Sequence, residues 1–480
     1  MRTSACRNLL VIIALAFVSL ANAQESQLSQ SILQLNQQVT VTRPARGSNS
    51  AAAVQRLENT LANRQTLVEQ LIRTNPTAVR QVRLDPTITS ALPSAATSLV
   101  EADVKTTGIL EQTIADDFEN GRSVNIWSLH SADKRVEVVF PEGMQPERLK
   151  GRAVEVNGVG TVNVVAVESL QAAATTSRSG AAAEAPAQAP SVNSCSTLGT
   201  ENVAVLMMNQ GAGGTAYPAG ITPTYLQNQY FSSTPKSLPT YWNETSSNLT
   251  SASGQVFGPF TLDRVYSCSE TNALAKKAIA LALAGGVDLS GYSRVSIVFP
   301  TDNSCGFGGL GDIGCRSADT QVTHPYSVSW IPIFSTYTGS TDLWGTLAHE
   351  LGHNLGLGHG NSLDFGNIPL GTIDYKPIQP NSGSTSASTA VNLEYGDKFT
   401  VMGQSQCGGQ YSAFAKTQYL NWIPLSDFYE TTSGGNFTLN PFEVTSGPRA
   451  VRILRDAATS SWLWLEYRQP QGAYHSLLQG

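Results

Sequence analysis

Hydrophobic positions along this chain change their spacing several times, and each change marks a boundary. Residues 24–98 are polar and glutamine-rich, with one amphipathic helix whose apolar side is Val54, Leu57, Leu61, Val68 and Leu71. Asn75-Pro76 ends it, because the residue before a proline is steered away from helical backbone. The heptad does not persist, which argues against a coiled-coil arm. Over residues 99–170 the spacing shortens to that of strands: Val124 to Leu129, Arg135 to Phe140, Ala153 to Val156 and Thr161 to Val167. Turns at Glu119-Asn120-Gly121, Pro141-Glu142-Gly143 and Asn157-Gly158 separate them, which predicts a small β-barrel or sandwich. Residues 171–194, rich in Ala, Ser, Thr and Pro, read as an extended linker open to proteolytic maturation.

Residues 195–425 mix both periods. Strands are predicted at Val203 to Met208, Val295 to Phe299 and Val328 to Phe334, with a helix from Ser269 to Leu283 carried by Leu274, Ala278, Leu281 and Ala282. A second helix shows Leu343, Leu347, Leu351 and Leu355 at four-residue spacing behind Ser340, Thr341 and Asp342, whose oxygens can cap it. Residues 426–480 turn β-rich again, at Phe437 to Phe442, Val451 to Leu454 and Trp462 to Tyr467. Large residues on both faces of Trp462-Leu463-Trp464-Leu465 predict a strand covered on both sides. The expected class is therefore α+β, with a helical segment and a small β domain ahead of a central domain and a small β domain after it.

Composition narrows the function. A net charge of −6 with only 14% charged residues and no basic cluster excludes a nucleic-acid binder. Arg2 and Arg7 precede an apolar run from Leu9 to Leu20, and Ala21-Asn22-Ala23 offers a cleavage site, so residues 1–23 read as a secretory signal peptide. That run is too short for a bilayer, which needs about 20 residues, and no later segment is long enough either. The expected location is extracellular or periplasmic, without a membrane span.

The candidate chemistry lies in His349-Glu350-Leu351-Gly352-His353-Asn354-Leu355-Gly356-Leu357-Gly358-His359, which uses three of the six histidines. Four residues apart on a helix, His349 and His353 share a face and can converge on one ion, and zinc favours imidazole nitrogens. Glu350 can reach a water at an open fourth position without being a ligand, which is a general-base position. Gly356 can take positive φ and swing His359 back as a third ligand. Ordinary histidines in a helix before a glycine-rich turn are the alternative, but the added glutamate, glycine and third histidine weigh against it.

This extended motif resembles that of the metzincin zinc proteases. Glu394-Tyr395-Gly396-Asp397 followed by Met402-Gly403 is similar to their methionine turn, with Met402 as a soft floor under the imidazoles. With Ala413-Phe414-Ala415-Lys416 and Leu420-Asn421-Trp422, the chain from Val203 to Arg468 most resembles the gametolysin family. The resemblance implies a metzincin-type domain with a mixed sheet and a zinc-binding helix. It also implies a secreted zinc endopeptidase acting on extracellular or cell-wall proteins and glycoproteins, and makes residues 99–170 a prodomain. A carbohydrate-binding module is the other reading of that segment, with Trp127 as its one candidate. No tyrosine closely follows Met402, so three histidines and water should complete the sphere. In such enzymes the strand before the zinc helix commonly rims the cleft, so Val328 to Phe334 is either an edge that aligns substrate or an internal strand.

Cys6 leaves with the signal peptide, and five cysteines remain. Cys305 and Cys315 are expected to pair across a glycine-rich loop, Gly306-x-Gly308-x-x-Gly311, which is no nucleotide loop because no helix start follows. Of Cys195, Cys268 and Cys407 one is left over, either as a buried thiol or, for Cys195, as a thiolate covering the zinc before activation. The rival to a protease is a catalytically inactive adhesion or binding protein on the same scaffold, and a second is a zinc hydrolase for another amide. The intact Glu350 speaks against the binder.

Overall fold

The computed structural model describes residues 25–41, 51–131, 134–173, 195–302, 305–364, 391–403, 409–458 and 460–475. The signal-peptide reading, nearly all of the linker and Cys407 lie outside them. Two compact units form, one from residues 1–111 with 126–187, the other from Gln112–Asn125 with residues 188–480.

In the first unit, helices α1 (residues 25–41) and α2 (Ala51–Thr74) precede a short helix, α3 (Pro86–Thr89). Leu57, Leu61, Val68 and Leu71 of the expected stripe on α2 are buried, and the helix stops at Thr74 before Asn75-Pro76. Strands β1 (Ala102–Asp117), β2 (Arg122–Ser131), β3 (Lys134–Val139), β4 (Ala153–Gly160) and β5 (Val164–Ala172) follow in the order β2-β3-β5-β4-β1, and a β2–β1 pairing closes the ring. Of the two expected forms it is the barrel. The period of two decides what each residue of β5 touches: Val165 and Val167 join Leu110, Trp127 and Leu129, while Val164 and Ala166 pack with Val68, Leu71 and Ile72 of α2. Trp127 is thus a core residue rather than a sugar platform.

The second unit carries a mixed sheet in the order β1-β9-β10-β8-β6-β7, built from residues 113–116 of β1 and from β6 (Gly199–Asn209), β7 (Thr250–Thr261), β8 (Arg294–Thr301), β9 (Gly309–Asp312) and β10 (Ser327–Phe334). β7, β6, β8 and β10 run parallel, and β9 runs antiparallel to β10. β10 is therefore internal, so of the two readings of Val328 to Phe334 the internal strand holds. Helices α4 (Pro223–Phe231), α5 (Leu238–Ser246) and α7 (Trp344–Asn354) cover one face over Val203, Val205, Val298, Ile331 and Ile333. On the other face Trp330 donates to the Thr271 carbonyl of α6 (Thr271–Ala284) at 3.1 Å. Strands buried on both faces read as continuous apolar runs, as Val203 to Met208 does.

A short pair, β11 (Ser362–Asp364) with β12 (Val391–Leu393), precedes α8 (Ala413–Gln418). β13 (Phe428–Thr431), β14 (Ala450–Asp456) and β15 (Ser461–Glu466) form a three-stranded sheet, and α9 (Gly472–His475) follows. Two local expectations fail there. The third strand is Phe428–Thr431, because Phe442 spends its side chain plugging the core of Ala413, Ile423, Phe428 and Ala450 from an irregular segment. Trp462 and Trp464 are half-buried, with Arg452 over their rings, and Leu465 is exposed, so β15 is not covered on both sides. Together the units make an α+β protein with a large mixed sheet. No helix among the described residues is long and apolar enough to cross a membrane.

The disulfides differ from the expected pairing. Cys195 bonds Cys315 and Cys268 bonds Cys305, with Cα atoms 5.6 and 5.0 Å apart. Cys305 and Cys315 flank β9 and each ties one end of it to a different part of the unit, which a bridge between them could not do. Cys195 is consequently not a free thiolate. Non-reducing peptide mapping is expected to recover the 195–315 and 268–305 linkages, and a 305–315 peptide would contradict this fold. Replacing Cys268 and Cys305 by serine should cost roughly 4 kcal/mol, the loop-closure term for so long a loop, measurable by denaturant unfolding.

Candidate metal centre

α7 is almost wholly buried, and Leu343, Leu347, Leu351 and Leu355 all face the core. Its start lies later than the capping pattern implied. Leu343 takes the cap position without a side-chain bond, while Thr341 Oγ1 accepts from Thr338 N in the preceding turn. The end follows expectation in detail: Gly356 has φ +96°, Leu357 N donates to Gly352 O and Gly356 N to His353 O. This paired closure needs a left-handed residue, which glycine supplies without steric cost. The turn carries the chain back and leaves His359 facing the helix.

The three imidazoles meet. Ring centroids of His349, His353 and His359 lie 4.9 to 5.4 Å apart. Each Nδ1 is committed elsewhere: His349 to Val401 O at 2.7 Å, His353 to Leu357 O at 2.8 Å and His359 to Glu394 Oε1 at 2.9 Å. Those acceptors require a proton on Nδ1, so the Nε2 lone pairs are left free and point to one place. Among the described residues, Nε2 of His349 and of His359 faces no polar group but the Asp116 carboxylate.

Facing that place is Asp116, from the end of β1, fully buried. Its carboxylate lies 3.7 Å from His349 Nε2, 3.2 Å from His353 Nε2 and 2.7 Å from His359 Nε2. These four residues could hold a metal ion, their ligand atoms all lying within 4.8 Å of one another. The donor set fits a cation on chemistry as well as distance, since neutral Nε2 lone pairs and one carboxylate oxygen are what a borderline-soft divalent ion accepts. Where the sequence leaves a fourth position for water, the structure thus places a carboxylate.

Glu350 is completely buried, and among the described residues no donor reaches either carboxylate oxygen, its polar neighbour being the Asp116 carboxyl. Burial, reinforced by the Asp116 carboxylate, raises its pKa well above the usual glutamate range. Burial alone would raise Asp116 too, but the three imidazoles outweigh it and hold that carboxyl well below the ordinary value. Desolvation pushes His353 down to about 4. His359 feels the same desolvation, but bonds to Asp116 and Glu394 overcome it and lift the ring to about 9.

Met402 packs against α7 at Gly352. A methyl group added to Gly352 would come within 2.6 Å of its sulfur and 3.0 Å of Tyr411 Oη, so the helix needs glycine there to rest on the methionine. Gly309 is needed for a parallel reason, since its Cβ would fall 2.0 Å from Glu350 Oε1. The glycine-rich stretch rejected as a nucleotide loop thus contains a strand, β9, that lies flat against α7.

Four residues beyond the sequence motif shape the site. Tyr395 donates its hydroxyl to Asp116 Oδ1, and its ring centroid is 4.2 Å from that of His359. Phe118 meets His349 edge-on at 4.9 Å. Glu394 orients His359 and accepts from Ser123 Oγ at 2.5 Å, and burial of that carboxyl is outweighed by His359 and Ser123, which lower its pKa. Glu394 and Tyr395 stand in a quoted motif, whereas nothing near Asp116 in the sequence marks it as a ligand. Compared with known protein families and with curated proteins, the chain matches none.

A buried carboxylate with a raised pKa and no partner costs stability once ionised. Relative to a Glu350→Gln variant, metal-free wild type should be less stable by about 1 kcal/mol near neutral pH. Because the folded pKa is raised, the glutamate's contribution is fully present below its unfolded value of about 4.3 and is lost as pH rises. The gap between the two thermal midpoints should therefore open with rising pH and close toward pH ~4. A pH-independent gap would show that Glu350 is not the strained group.

Proposed function

We propose that this protein is a secreted zinc-dependent endopeptidase of the gametolysin type within the metzincins, with His349, His353 and His359 as metal ligands and Glu350 as general base. The observation that carries the reading is the convergence of three Nε2 lone pairs, each fixed by its Nδ1 bond, beside a buried and unpartnered glutamate. Zinc held there would lower the pKa of a water toward ~7 and polarise a scissile carbonyl. Two disulfides among the described residues support an oxidising destination for the protein, in line with the signal-peptide reading.

The chain's own groups then divide the labour. Glu350, as a carboxylate whose proton affinity burial raises, takes the proton of the attacking water and delivers it to the leaving amine. Val401 O, Leu357 O and Glu394 keep the imidazoles in the one tautomer that can ligate. Met402 and Tyr411 support the helix from below, so the ligand geometry does not depend on a flexible loop. An inactive binding protein on this scaffold would keep the costly Glu350 for no purpose.

The matured protein should digest casein or gelatin, and a chelator should abolish that digestion. Glu350→Ala should retain zinc yet lose nearly all cleavage, on the order of a thousandfold or more for loss of the base; undiminished digestion by this variant would end the proposal. In His359→Ala, zinc content by elemental analysis after dialysis should fall, and a full complement would show that His359 is not a ligand.

A further inference from the structure

The segment Gln112–Asn125 precedes the imidazoles by more than two hundred residues, yet it belongs to the same compact unit and lies against them. Residues 113–116 pair antiparallel with Asp312–Gly309 of β9, the strand that otherwise ends this sheet. Gly308 N donates to Asp116 O at 2.6 Å, Ile313 N to Gln112 O at 2.9 Å and Thr113 Oγ1 to Asp312 Oδ1 at 2.8 Å. Beyond Asp116 the chain turns over an Asp117–Asn120–Arg122 cluster, and Ser123 docks through N and Oγ on Glu394, the carboxylate that orients His359. Phe118 covers the outer side of His349.

Two separate requirements of a working site are met by this one stretch. A sheet edge offers unpaired N–H and C=O groups to an extended polypeptide, and here they are already taken. An attacking water needs the side of the metal site opposite the imidazoles, and the Asp116 carboxylate stands there. We infer that Gln112–Asn125 is an internal stopper of the centre: Asp116 is a removable fourth ligand, and residues 113–116 hold the strand position that an extended peptide substrate takes on β9 after their withdrawal. The inference rests on the endopeptidase reading for its substrate and on the donor geometry alone for the ligand.

A spectroscopic test separates these. Full-length wild type, Asp116→Asn and Asp116→Ala are loaded with cobalt(II) in place of zinc and titrated with acetohydroxamate, a small chelating anion that needs a free coordination position. The visible spectrum of wild type should resist change until the anion is at least tenfold more concentrated than suffices for either variant. Equal sensitivity of wild type and both variants would overturn the inference. In parallel, competition with a chromophoric chelator should show both variants still holding zinc on three imidazoles, weaker by about tenfold or more. Complete loss of metal from folded Asp116→Asn would make Asp116 a permanent ligand of a closed site and equally overturn it. Asp116→Asn keeps the side-chain volume and the acceptor for Tyr395, so it carries the test where alanine fails to fold. If the variants admit acetohydroxamate but wild type, cut between residues 173 and 195 and freed of the segment, leaves casein intact, the stopper stands and the protease reading fails.

Discussion

Everything at this site depends on three protons being held away from it. An imidazole can ligate through Nε2 only if its other nitrogen carries the hydrogen, and in a buried centre that hydrogen must be bonded. The main-chain carbonyls of Val401 and Leu357 do this for His349 and His353, and the Glu394 carboxylate does it for His359. Two of the acceptors come from the one stretch from Glu394 to Val401, and the third comes from the glycine turn after α7. The Gly356 turn therefore does more than return the third histidine: the same reversal presents Leu357 O to the second one.

Close approach is the second constraint, and it explains the glycines better than flexibility does. α7 is squeezed between Met402 with Tyr411 below and β9 beside it, and at Gly352 and Gly309 a single methyl group would collide with the methionine sulfur or the Glu350 carboxylate. β9 is only four residues long and, apart from residues 113–116 of β1, is the last strand of this sheet, so its own ladder holds it only weakly against the helix. The disulfides supply what the ladder lacks, one before the strand at Cys305 and one after it at Cys315. Asn354 adds a polar tie, donating from one amide to Asp312 O of β9 and Val328 O of β10, both at 3.1 Å.

The features legible in the sequence are those set by local spacing. Four residues on a helix, a glycine that reverses the chain and a leucine stripe each fix a geometry within one or two turns, and the structure places His349, Glu350, His353 and His359 together accordingly. Barrel strands β2 to β5 follow from the strand-like spacing, whereas β1 is not predicted by it, and whether the strands closed or stacked needed the β2–β1 pairing. What the sequence hides is long-range. Cysteine spacing favours the short 305–315 loop on entropy, yet pairing is set by which parts of the fold meet, and Cys195 meets Cys315 across 120 residues. Asp116 lies near the end of β1, a strand that the sequence pattern does not predict, and looks like any polar residue before a turn. Its role appears only when that strand is laid against β9, a contact that propensity and periodicity do not encode.

The position of Gln112–Asn125 in the chain bears on how it could be released. While covalently attached, a segment that docks beside its own cleft acts at an effective concentration in the millimolar range, which a dilute substrate cannot match. A cut anywhere between residues 173 and 195 leaves Asp116 on one product and the three histidines on the other. The contacts at the site need not change at that moment, but their thermodynamics do, since an intramolecular ligand becomes a bimolecular one that dilution and further proteolysis can remove. Carboxylate oxygen suits such a role better than sulfur: a thiolate binds zinc tightly, whereas Asp116 also shares its electron pairs with the Tyr395 hydroxyl and is correspondingly easier to displace. The disulfide at Cys195 would serve the same division, because after such a cut it would anchor the new end of the histidine-bearing product beside β9 and keep that strand in place once residues 113–116 had gone.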